Sequence, residues 1–93
     1  MIHTILVRTD TTVAALKKET RKRLMTGGAV IRLEESLSAE DCEKIYAEFG
    51  PDAESFGLSA QVLLELLRHP AAPDSLRLKI SEHPIEEIRR AGI

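Results

Sequence analysis

Three histidines, one cysteine, a run of cations and two adjacent glycines are the residues of this 93-residue chain whose types could do chemistry. Metal centres need ligands that converge, and helical sites place them three or four residues apart. His3, His69 and His83 have no such spacing. His69 and His83 each stand before a proline, Pro70 and Pro84, where a ring able to bond nearby backbone suits a helix end. They read as turn residues, not ligands. Cys42 is the only cysteine, which excludes an internal disulfide and a multi-cysteine metal site. It falls at helical spacing with Ile45 and Phe49, and Asp41 and Glu43 beside it oppose the lowered pKa that a nucleophilic thiol needs. A buried inert thiol is expected. Gly27-Gly28 lacks the further glycines and the Lys-Ser/Thr ending of a phosphate loop, so it reads as a helix end. The pairs Glu34-Glu35 and Glu86-Glu87 have no apolar pocket to make a general acid. The expectation is a protein that is not an enzyme, with no cofactor and no metal.

The strongest chemical signal is cationic. Lys17, Lys18, Arg21, Lys22 and Arg23 fall within seven residues, and on a helix they could contact phosphates, with a salt dependence set by the contacts made. Against a nucleic-acid role, the whole-chain pI is near 5.9, where such domains are commonly basic. No helix-turn-helix or ribbon-helix-helix pattern is clear. The three aromatics, Tyr46, Phe49 and Phe56, are too few for a base-stacking platform. The formal charge of −2 hides a division: residues 1–33 carry a net +5, residues 34–65 a net −8 and the remainder +1. Such halves can pair internally, pair between molecules or steer a charged partner.

These residues must be positioned by short elements. Ile2 to Arg8 is β-branched and apolar, a strand signature. From Thr11 or Thr12 the period changes, and Val13, Leu16, Thr20 and Leu24 recur on one helical face. Asp10 or Thr11 can cap that helix, and Gly27-Gly28 ends it. Ala29 to Leu33 reads as a second strand, which would make a parallel crossover pair and whose own open edge would suit dimerisation. Ser38 to Asp41 has the layout of a capping box and opens a helix burying Cys42, Ile45, Tyr46 and Phe49. Gly50-Pro51 stops it. After a loop over 51–57, Ser59 is expected to cap a helix carrying Val62, Leu63, Leu66 and Leu67, ending at His69 because a residue before proline is pushed out of the helical region. Pro73 opens the next helix, with Leu76 and Ile80 inside, and His83-Pro84 ends it. The expected fold is mainly α with a small amino-terminal β element, an α+β single domain over 1–93. Its parts are a strand-helix-strand segment (1–35), two amphipathic helices (36–68) and a helical strip (69–93). No segment approaches the roughly 20 apolar residues of a membrane span, and Met1 to Val7 has no basic leader, so a cytoplasmic protein is expected.

The strip carries a more specific pattern. His69-Pro70-Ala71-Ala72-Pro73-Asp74-Ser75-Leu76, continuing through Ile80-Ser81-Glu82-His83-Pro84-Ile85-Glu86-Glu87-Ile88-Arg89-Arg90-Ala91, resembles one unit of the leucine-rich repeat variant family. Pro70, Pro73, Pro84, Ile88, Arg89 and Ala91 fall in register. His69, His83 and Ser81 depart from it, and HEAT-type repeats share some of the letters. The resemblance covers roughly residues 66–93 and implies stacked short helices without enzymatic activity. Because arrays of such units need about three or more repeats, an uncovered end is expected to leave apolar surface at Ile85 and Ile88. Together with Arg77, Arg89 and Arg90 these are the expected partner-binding residues, in a small adaptor, regulator or subunit that binds a protein or itself. The alternative is a small DNA-binding transcriptional or antitoxin-like regulator using the basic helix over 11–25. No membrane partner is expected.

Overall fold

The computed structural model describes residues 2–54, 57–86 and 88. In chain order the elements are β1 (His3–Val7), α1 (Val13–Leu24), β2 (Ala29–Leu33), α2 (Ala39–Phe49), a 3-10 turn (Gly50–Asp52), α3 (Leu58–Arg68) and α4 (Asp74–Ser81). Among the described residues these elements form a small α+β arrangement, helices α1 to α4 with a two-stranded parallel sheet. β1 and β2 pair in the register His3↔Ala29 to Val7↔Leu33, with α1 as the crossover.

Local chemistry explains most boundaries. The Thr12 hydroxyl accepts from the Ala15 N–H and starts α1. Gly27 and Gly28 take φ of +127° and +118°, conformations that side-chain-bearing residues avoid, and return the chain to β2. The capping box of α2 forms in full: the Asp41 N–H donates to Ser38 Oγ at 3.1 Å, and the Ser38 N–H donates to Asp41 Oδ2 at 3.0 Å. His69 ends α3 in an extended conformation (ψ 131°), as the following proline demands. Three details differ from the sequence expectation. Thr12, not Asp10 or Thr11, caps α1, and the Thr11 hydroxyl instead accepts from the Arg8 N–H. Gly57, not Ser59, is the cap residue of α3. Ser59 is the second residue of the helix, and its hydroxyl donates to Asp52 Oδ2 at 2.9 Å, fastening α3 to the turn before it. Leu24 is 63% exposed instead of buried, because it sits at the last turn of α1, past the core.

One hydrophobic core runs through the molecule. Ile5, Val7, Ile31 and Leu33 on the inner face of the sheet meet Leu16 of α1, Cys42, Ile45 and Phe49 of α2, and Val62, Leu63 and Leu66 of α3. Leu76 and Ile80 of α4 extend it. Ile85 and Ile88 belong to the same core, at 2% and 1% exposure, which overturns the expectation that they face outward. Tight turns turn this stretch inward: the His83 N–H donates to Ile80 O, the Ile85 N–H to His83 O and the Ile88 N–H to Ile85 O. The His83 ring bonds the Tyr46 hydroxyl at 2.8 Å and fixes the turn to α2. Burial of each isoleucine contributes about 1.5–3 kcal/mol relative to exposure.

Candidate functional site

The sheet has one covered face and one open face. The alternation of strand side chains sends Ile5, Val7, Ile31 and Leu33 inward and Thr4, Leu6, Val30 and Arg32 outward; Ile2, exposed just before β1, shares the parity of Thr4. Ile2, Leu6 and Val30 are 66%, 46% and 37% exposed. Parallel sheets are normally covered on both faces, and a two-stranded sheet is marginal by itself. Register places Leu6 beside Arg32 and Thr4 beside Val30. Along this open face and the loop after β2, Thr4, Leu6, Arg32, Glu34, Glu35 and Ser36 line an open groove of about 620 Å³. This apolar face was not among the expected site residues. The signal lay in the sequence, since Ile2 and Leu6 share a parity opposite to Ile5 and Val7, and two short strands cannot bury both sets.

The basic helix divides into spent and free cations. Lys17 Nζ lies 3.3 Å from Asp52 Oδ2, and Arg23 Nε lies 2.8 Å from Glu19 Oε1. The hydrogen bond from Ser59, then Lys17, holds the Asp52 carboxyl below the usual carboxylate range. A second tie joins the acidic and basic halves, where Glu48 Oε2 accepts from the Val13 N–H at the start of α1. Lys18, Arg21 and Lys22 are exposed and have no ion-pair partner among the described residues. Lys17, Thr20, Arg21, Leu24 and Leu58 line a smaller open groove of about 350 Å³. The buried Thr20 hydroxyl beside it has no hydrogen-bond partner among the described residues.

The remaining candidates are engaged inside the fold. The His69 ring spans two corners: Nδ1 accepts from the Ala71 N–H at 3.0 Å, so its proton lies on Nε2, which donates to Glu34 O at 3.0 Å. His3 Nε2 is 3.0 Å from the Thr26 hydroxyl. Among the described residues no group of three or more His, Cys, Asp or Glu side chains could hold a metal ion. Cys42 is fully buried, and burial, followed by Asp41 and Glu43, raises its thiol pKa. Burial, followed by Glu82 and Glu43, likewise raises that of Tyr46, whose ring meets His83 edge-on at 5.7 Å. Arg77, expected on a binding surface, is tethered to its own strip. Its Nη2 donates to His69 O at 2.9 Å, Nη1 lies 3.6 Å from Asp74 Oδ1, and the buried Nε has no hydrogen-bond partner among the described residues. Arg89 and Arg90 lie outside the described residues. The structure therefore does not bring Arg77, Ile85 and Ile88 together as an exposed patch. No helix among the described residues is long and apolar enough to cross a membrane. Compared with known family models, curated proteins and solved structures, the chain matches none.

Proposed function

We propose that this chain is a non-enzymatic protein–protein interaction module, a small adaptor, regulator or subunit that docks through its sheet. The observation that carries this reading is the open face bearing Ile2, Leu6 and Val30 on a sheet whose opposite face is buried. The carboxy-terminal strip, with its leucine-rich-repeat-variant-like pattern, serves as the support that closes the core, because its isoleucines face inward. Leu6→Asp should abolish capture of the partner while leaving stability within about 1 kcal/mol of the wild type, since Leu6 is exposed and is not among the buried core residues. Capture that survives Leu6→Asp in a folded protein sinks this reading.

A second reading rests on a different observation, the exposed Lys18, Arg21 and Lys22 on α1, without an ion-pair partner among the described residues. Three free cations suit a modest, salt-sensitive hold on nucleic acid or another polyanion. Retention on DNA or heparin at low salt that disappears in Lys18→Glu/Lys22→Glu favours it. Retention unchanged by those substitutions removes it.

A further inference from the structure

The two edges of the sheet are not equivalent. Ladder bonds use the odd-numbered residues of β1 and even-numbered residues on the β2 side: the His3 N–H donates to Gly28 O, and the Glu34 N–H donates to Val7 O. The main-chain groups of Thr4 and Leu6 therefore point out of the sheet beyond β1, and those of Ile31 and Leu33 point out beyond β2. Ile31 and Leu33 are 5% and 7% exposed, main chain included, so the β2 edge is closed over and is not the dimerisation edge expected of the Ala29–Leu33 strand. Thr4 and Leu6 are exposed, and among the described residues neither makes a main-chain hydrogen bond outside the ladder. Exposed edges are commonly protected by lysine, proline, a bulge or an inward-facing charge. β1 runs His3-Thr4-Ile5-Leu6-Val7 with none of these.

We propose that the β1 edge is a self-association site, where β1 pairs antiparallel with β1 of a second copy across a two-fold axis at Thr4. This rests on the reading of the sheet as the docking surface and names its occupant. The side chains select the register. With Thr4 opposite Thr4, Ile2 of each copy stands opposite Leu6 of the other on the outer face, so apolar meets apolar twice and no like charges face each other. A shift that puts the axis at Ile5 sets Ile2 against Arg8 instead. The result is a four-stranded sheet ordered β2-β1-β1-β2, which passes the three-strand threshold that the single molecule does not reach. The chain's own strand supplies what this edge needs: an uncharged segment, self-complementary when reversed. A pair of five-residue strands covers less than the roughly 800 Å² per partner of a standard interface, so the dimer forms reversibly and dissociates on dilution.

Sedimentation velocity of the full chain from about 5 μM to about 500 μM tests this, together with mild oxidation of a Thr4→Cys variant. The expected result is a mass rising with concentration from 10.3 kDa toward twice that value. Thr4→Pro, which removes an N–H that the ladder does not use, should raise the dimer dissociation constant about tenfold or more. Thr4→Cys should form an intermolecular disulfide, since directly opposed residues of a hydrogen-bonded pair lie about 5.5 Å apart. Ser75→Cys, exposed on α4, should not. A monomer throughout, with both cysteine variants cross-linking equally slowly, overturns the inference, as does a dimer that Thr4→Pro leaves unmoved. Either result leaves the broader interaction reading to stand or fall on partner capture by Leu6→Asp.

Discussion

The amino-terminal sheet and the carboxy-terminal strip carry similar aliphatic residues and treat them oppositely. Leu6 and Val30 sit on regular strands yet face outward, whereas Ile85 and Ile88 sit in a proline-broken tail and are buried. Residue type does not separate these cases. Topology does: a pleated strand must present every second side chain to the far face, and only another layer can cover it. A tail has no such constraint. Successive turns at His83 and Ile85 rotate Ile85 and Ile88 to one side, and the core accepts them. The strip therefore completes the interior, while the sheet leaves a face unfinished.

The contrast can be broken most forcefully by one charge in each region. Ile85→Asp places an unpaired carboxylate in the core and should cost about 3–5 kcal/mol, a large part of the stability of a domain this size, measured by urea unfolding. Leu6→Asp should cost less than about 1 kcal/mol in the same assay. Equal losses would mean that the outer face is packed in solution. The next effect concerns the strap between the regions. His69→Ala removes the bonds to the Ala71 N–H and Glu34 O at a buried site and should cost about 1–3 kcal/mol. Ser38→Ala removes one half of the α2 capping box and should cost about 1 kcal/mol, visible as a lower melting temperature.

The smallest effect is set by pH. The Asp41 carboxyl is held below its ordinary value by hydrogen bonds from the Ser38 backbone and hydroxyl, and Asp52 by Ser59 and then Lys17. Both folded-state values lie below the unfolded value of 3.8, so their contribution is present above that pH and is lost as pH falls through the folded values. Melting temperature should therefore fall between about pH 4 and pH 2, and less so in Asp52→Asn. An identical acid profile for that variant would remove Asp52 from the account.

Much of the architecture is legible from local signals. The β-branched run before Asp10, the Ser38-Asp41 box and the prolines after His69 and His83 each act within a turn of chain, and each marks a boundary that the structure has. What the chain hides is decided at a distance. Ser59 looks like a cap, but its hydroxyl is taken by Asp52, leaving the cap position to Gly57. Leu24 keeps the helical spacing of Leu16, yet α1 outruns the core before reaching it. The inward turn of Ile85 and Ile88 needs α2 to supply Tyr46 as an anchor for His83, a contact 37 residues apart in sequence. The candidate surface was missed for the same reason. Parity in Ile2 to Val7 marks two faces, but only the count of layers tells which face stays open.

The buried hydroxyl of Thr20 gives the helix that carries the free cations an unusual property. Thr20→Val keeps the shape and deletes the unsatisfied group, so this position offers a route to a sturdier scaffold. An engineer could thus harden α1 from within, then rewrite Lys18, Arg21 and Lys22 at will, with the polyanion chemistry and the integrity of the fold set independently.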